Sequence, residues 1–295
     1  MDAQHGTGLE LILNAAEGVL QIVVTEDEHI LCAQEWYRSE RATEILAPAL
    51  AELATSLGIR WSDLRRMACV RGPGSFTGIR LTLATAAALR RCGRAQLAGL
   101  DYMQALATTA VMQRGMLYGG HIWVLTHARR NLVHCQPFVS YGPEIPAQPL
   151  QGVSLCTPAE AVAAITADTA DAALVCGTGL RRNADACAPL ESLPAVTCLP
   201  ACIHASTGAL CLLARHGDYA PEDIEPLYVR PCDAVDNLPD LARRQGRDRP
   251  RHIKRQISLS GARCSRRSSS AVAASLPSRT CSSDMRVPPW QRTSL

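Results

Sequence analysis

Ten consecutive residues, Arg71-Gly72-Pro73-Gly74-Ser75-Phe76-Thr77-Gly78-Ile79-Arg80, hold the types and spacing most suited to chemistry. Glycines let the backbone turn tightly, and a helix beginning at Phe76 would offer unpaired N–H groups and the positive end of its dipole to an anion. The same residues can instead simply turn the chain and cap the helix, and spacing alone leaves both readings open. Ser75 and Thr77 carry hydroxyls, but no histidine or acid nearby in sequence completes a nucleophilic arrangement. The single lysine, Lys254, stands far down the chain, so neither a phosphate-loop lysine nor a Schiff-base lysine is available to the preceding residues. His121, His127 and His134 lack the short spacing of metal ligands, and no metal site is expected. Cys198 and Cys202 are four apart with Pro200 between them; this reads as a loop with structural thiols, not a zinc or redox pair.

The elements that must position this loop follow from periodicity. Leu9–Leu13, Val19–Val24 and Ile30–Gln34 are short Leu/Ile/Val runs separated by turn segments and predict three antiparallel strands. Glu40–Leu57 has a helical rhythm through Ile45, Leu46, Ala49, Leu50 and Leu53, closed by Gly58, with Pro48 expected to kink it or delay its start. A strand over Met67–Val70 precedes the loop. A helix over Phe76–Cys92 follows, with Phe76, Ile79, Leu83 and Ala87 on one stripe. A strand over Gln96–Leu100 and a helix over Asp101–Gln113, capped by Asp101, complete a βββαβαβα order. Strands at Ile122–Leu125, Leu132–Val139 and Ala173–Cys176, with helices at Pro158–Thr166 and Ala205–Arg215, predict a second, shorter unit. The order resembles the ribonuclease-H-like half of the actin and sugar-kinase ATPases. The expected fold is therefore α/β and actin-like (ASKHA), two lobes with mixed sheets flanked by helices.

Composition sets the limits. The 295 residues are 47% hydrophobic and 19% charged, with only two Phe, so a large core must be built from small aliphatic side chains. The net charge is +3, but the stretch from Asn237 holds 13 Lys and Arg against 3 Asp, a surplus of +10, leaving −7 on Met1–Asp236. An acidic body is a poor general nucleic-acid grip, since phosphate contacts need a basic footprint. The Ser/Arg-rich residues 237–295 contain few large apolar groups and are expected to be disordered. Thirteen cysteines without a CxxC, after a start lacking the basic-then-apolar pattern of a signal peptide, predict reduced thiols in the cytoplasm. The longest apolar runs fall far short of the roughly 18 residues that span a bilayer, so no membrane association is expected. Expected domains are 1–115, 116–236 and the tail 237–295.

The unbroken string from Gly72 to Arg80 resembles the GPGSFTG-[LI]-R signature of the TsaB family, also called YeaZ, relatives of the TsaD-type tRNA threonylcarbamoyladenosine transferase. The resemblance continues through Leu81–Leu89, through Gly99-Leu100-Asp101 to Leu106 (the family's GVSSLEAL segment), and through Thr126-His127-Ala128-Arg129-Arg130 (its DAR stretch). It ends at Pro226-Leu227-Tyr228-Val229-Arg230, similar to the family's terminal PxYLR, and covers about Leu9 to Asp233. Two departures stand out. The family's first strand usually ends Asp-Thr-Ser, where this chain has Asn14-Ala15-Ala16, and His127 replaces the Asp of the DAR stretch. The paired His that hold a metal in the active transferases have no counterpart over Glu40–Leu57.

The resemblance implies a non-catalytic dimerisation and scaffold subunit needed for threonylcarbamoylation of the adenosine at tRNA position 37. It implies a TsaD-type transferase as partner in a heterodimer, a TsaE-type ATPase, a homodimer as the other assembly, and tRNA contacted only indirectly. It implies no catalytic residue and no intrinsic cofactor, with ATP or ADP at a partner interface left open by Asn14-Ala15-Ala16. Gly72, Pro73, Gly74, Ser75, Phe76, Thr77, Gly78 and Arg80 would shape the loop and an adjoining cleft. Pairing through first-lobe helices would use Ile45, Ala49, Leu83, Ala84 and Ala87, beside the small residues Thr82, Thr85, Ala86 and Ala88. The competing readings are an independent actin-fold ATPase or phosphotransferase, a diverged glycoprotease-like enzyme, and an RNA-binding protein acting through the basic tail.

Overall fold

The computed structural model describes residues 8–37, 41–168 and 172–229. Met1–Asp236 is one compact unit; Asn237–Leu295, and with it the tail reading, lies outside the described residues, as do Arg230 and the expected helix start at Glu40.

The first sheet is built by β1 (Leu9–Asn14), β2 (Val19–Glu26), β3 (His29–Tyr37), β4 (Arg66–Gly72) and β5 (Gln96–Asp101) in the order β3-β2-β1-β4-β5. β1 to β3 form the antiparallel meander, while β4 and β5 run parallel to β1. The second sheet has β6 (Tyr118–Arg129), β7 (Leu132–Tyr141), β8 (Gln148–Pro149), β10 (Ala173–Cys176) and β11 (Val196–Leu199) in the order β11-β10-β6-β7-β8, with β9 (Ser154–Cys156) also paired to β7. The helices are α1 (Ala42–Leu57), α2 (Phe76–Cys92), α3 (Tyr102–Arg114), α4 (Pro158–Asp168), α5 (Thr178–Arg182), α6 (Ala184–Glu191) and α7 (Thr207–Arg215).

Strand alternation divides the apolar side chains between layers. Leu11 and Leu13 of β1 join Leu20 and Ile22 of β2 under α1, whereas Ile12 and Val23 point the other way onto α3 and α7. Ile122, Val124 and Leu174 of the second sheet meet the same two helices from the opposite side, and Trp123, Leu125 and Val175 pack under α4 and α6. The mixed sheets are thus stacked with helices between and outside them. α3 is buried from Tyr102 to Leu106 and through Val111 apart from the half-buried Gln104, and its Ala105, Ala107 and Ala110 let two sheets close on one helix.

Several expectations need correction. Pro48 neither delays α1, which starts six residues earlier at Ala42, nor ends it; the proline sits on an exposed turn. Asp101 precedes α3 but gives no side-chain cap, because its carboxylate accepts from Arg71 Nε at 2.7 Å. The buried face of α2 is Gly78, Ile79, Thr82 and Ala86, not Phe76, Ile79, Leu83 and Ala87. Thr82 can be buried because its hydroxyl donates to the Ile79 carbonyl at 3.0 Å within its own helix. The turn expected around Pro200 follows β11, but Cys198 lies on the strand itself, and Cys202 meets the buried Cys176 thiol instead. No residue in the described set belongs to a cluster of three or more His, Cys, Asp or Glu able to hold a metal, and no helix there is long and apolar enough to cross a membrane.

Candidate functional site

The signature loop sits at the mouth of a cleft of about 410 Å³. Its walls come from the β1–β2 turn (Ala16, Glu17, Gly18), the loop and α2 start (Pro73 to Thr77), the end of β6 (His127, Ala128), His134 of β7, Arg182 of α5 and the final described segment Leu227–Val229.

On one side the loop is seated directly on the turn. Ser75 N–H donates to the Ala16 carbonyl, and the Ser75 side chain caps α2 by accepting from Gly78 N–H at 3.3 Å. A Cβ on Gly74 would collide with the Ala16 carbonyl oxygen, and one on Gly78 with that of Ala15. Only glycine permits this approach, and Ala15 and Ala16 are fully buried by it. Asn14 is equally committed: its amide donates to Gln21 Oε1 at 2.6 Å and its Oδ1 accepts from Ala16 N–H at 2.9 Å. The turn that carries Asp-Thr-Ser in the family is here a packed, hydrogen-bonded seat for α2.

The last described residues return to the glycine loop. Leu227 N–H donates to the Arg71 carbonyl at 2.8 Å. Tyr228 stacks on Phe76 with ring centroids 5.3 Å apart, and Arg80 lies 3.8 Å over the Phe76 ring while its Nε donates to Tyr228 Oη at 3.0 Å. Upstream, Ala220 pairs with Leu97 and Asp223 bridges Arg90 at 2.7 Å, so residues 220–228 strap the open edge of β5.

The opposite wall is polar. Glu17 Oε1 accepts from the Thr178 hydroxyl and from His127 N–H at 3.1 Å, and that N–H is shared with Thr178 Oγ1 at 3.0 Å. Glu17 Oε2 is sealed from solvent with no hydrogen-bond partner. Burial pushes the Glu17 carboxyl up to about 7, outweighing the lowering by the Thr178 hydroxyl, the His127 N–H and Arg182.

The three histidines do not converge as a metal site: His127 and His134 line the cleft, while His121 pairs with Asp168 at 3.2 Å. Of the expected docking residues, Ala84 is exposed on α2, Leu83 and Ala87 are half-buried, and Ile45 packs partly against the core under α1. Ala49, Thr82 and Ala86 are core residues and present no surface, because their helix faces turn onto the first sheet. Glu17, Thr178 and Arg182 had no signal in the sequence.

The family model described as TsaD, tRNA N6-adenosine threonylcarbamoyltransferase, matches residues 38–166. A search of curated proteins found no match. Among solved structures, an uncharacterised Pseudomonas aeruginosa protein with similarity to peptidase YEAZ superposes with a TM-score of 0.61 at 18% identity, over 76% of this chain and all of that one. YeaZ from the same organism gives 0.61 at 18% identity, over 75% of this chain and all of YeaZ. Residues 38–166 are thus similar to the TsaD family, the chain shares the fold of the two Pseudomonas proteins, and the Gly72–Arg80 string and the Pro226–Val229 segment meet at one cleft.

Proposed function

We propose that the chain serves threonylcarbamoyladenosine formation on tRNA as an accessory subunit that docks a TsaD-type transferase and performs no chemistry itself. One observation carries this reading. The turn that would cradle a phosphate in an actin-like ATPase is filled by the backbone of α2, with Gly74 and Gly78 against Ala15 and Ala16 and the Asn14 side chain internally paired. A loop used this way fixes the position and angle of α2. The helix then presents Thr77, Arg80, Ala84, Ala88 and Arg91 outward, a face with small residues at its centre that lets another helix approach closely. The transferase supplies the reacting groups, and a TsaE-type ATPase completes the assembly.

Sedimentation of the chain mixed with a TsaD-type subunit tests this. A one-to-one complex is expected, weakened at least tenfold by Ala84→Arg with the fold intact. Equal affinity in the variant, or no complex, would remove α2 as the docking face. ATP turnover by the chain alone would support the phosphotransferase reading instead.

A further inference from the structure

The Glu17 cluster joins parts of the molecule far apart in sequence. The β1–β2 turn belongs to the first sheet, His127 to the second, and Thr178 opens α5 beside the second sheet. Glu17 Oε1 takes both the Thr178 hydroxyl and the His127 N–H, so a single carboxyl oxygen bridges the two sheets at the cleft. Its other oxygen is enclosed without a partner, an arrangement that suits a protonated carboxyl better than a carboxylate. We propose that Glu17 is a proton-dependent clasp: protonated, it stays enclosed and holds the two sheets together across the cleft, and once it is ionised, the cost of keeping its partnerless oxygen charged and buried outweighs the hydrogen bonds from Thr178 and His127, so that the cleft opens to hydrate it.

The groups that face Glu17 from the surrounding elements are consistent with this. Among the described residues, Arg182 of α5 is the cation whose charge acts on it, and that attraction is too weak to offset burial. His127 contributes its backbone N–H, with His127 and His134 lining the same cleft. Tyr102 approaches from α3 and is held neutral by burial and by the Glu17 charge. His204, in the loop after β11, bonds the Glu17 backbone and is itself kept toward its neutral form by burial. The clasp is independent of which partner α2 binds.

The sign follows from linkage. A carboxyl near 7 in the closed form and near its ordinary value when hydrated favours closure at low pH, and the open fraction rises about tenfold between about pH 6 and about pH 8. Hydrogen exchange of the full chain, corrected for its intrinsic pH dependence, should show about tenfold lost protection at Asn14–Val19 and at the His127 amide over that interval. Glu17→Gln keeps an acceptor but cannot titrate, and should stay protected at both pH values. Thr178→Val removes one clasp partner and should lower protection at both. A flat wild-type profile, or the wild-type slope persisting in Glu17→Gln, would overturn the proposal.

Discussion

The two sides of the cleft are built on opposite principles. Where α2 meets the first turn, backbone touches backbone: Gly74 sits on the Ala16 carbonyl and Gly78 on the Ala15 carbonyl. Where the second sheet meets the same turn one residue later, the contact is a carboxyl shared by a hydroxyl and an amide, beside two histidines and an arginine. The glycine-rich string packs backbone on backbone, while the buried titratable group of the cleft is a glutamate outside every motif. The difference shows that a glycine-rich loop can be committed to close backbone packing on one side of a cleft while the other side is polar and titratable.

Steric substitutions break the packed side. Gly78→Ala places a methyl group into the Ala15 carbonyl and should cost about 3 kcal/mol or prevent folding, as denaturant titration would show; a loss under about 1 kcal/mol would mean the seat is loose. The polar side should respond to pH instead. The folded Glu17 pKa is raised, so ionisation destabilises the fold progressively from about 4.5 to about 7. Glu17→Gln should therefore raise stability by about 3 kcal/mol at about pH 8 and leave it unchanged at about pH 4, read from thermal unfolding at both values. Tyr228→Ala strips the stack from Phe76 and the partner from Arg80 and should cost about 1 kcal/mol with no pH dependence, separating the strap from the clasp. Ala84→Arg, on the exposed face of α2, should change stability by less than about 0.5 kcal/mol while still impairing docking.

The first sheet and its helices were legible because their signals are strong: Leu/Ile/Val runs bounded by turns in β1 and β2, the i, i+3, i+4 rhythm in α1, and a serine cap before α2. The stripe on α2 was misplaced by the absence of a side chain at Gly78, which draws the helix in and turns Phe76 toward Tyr228. In the second half the signals are short or contradicted. α5 has five residues, α6 contains Pro189, and Pro200 opens the turn directly after β11, so none produces a recognisable rhythm. Glu17 could not be read at all. A lone acid in a turn suggests solvent, and its burial depends on Thr178, 161 positions away, and His127, 110 away.

The central claim, that this chain assists a transferase and does not react, is tested most directly by threonylcarbamoyl transfer to tRNA in a mixture of the transferase, its ATPase partner and the adenylate-forming enzyme, with and without this protein. Modification that appears only on its addition, and that survives Glu17→Gln but not Ala84→Arg, is the predicted result. Transfer that proceeds equally without it would contradict the account.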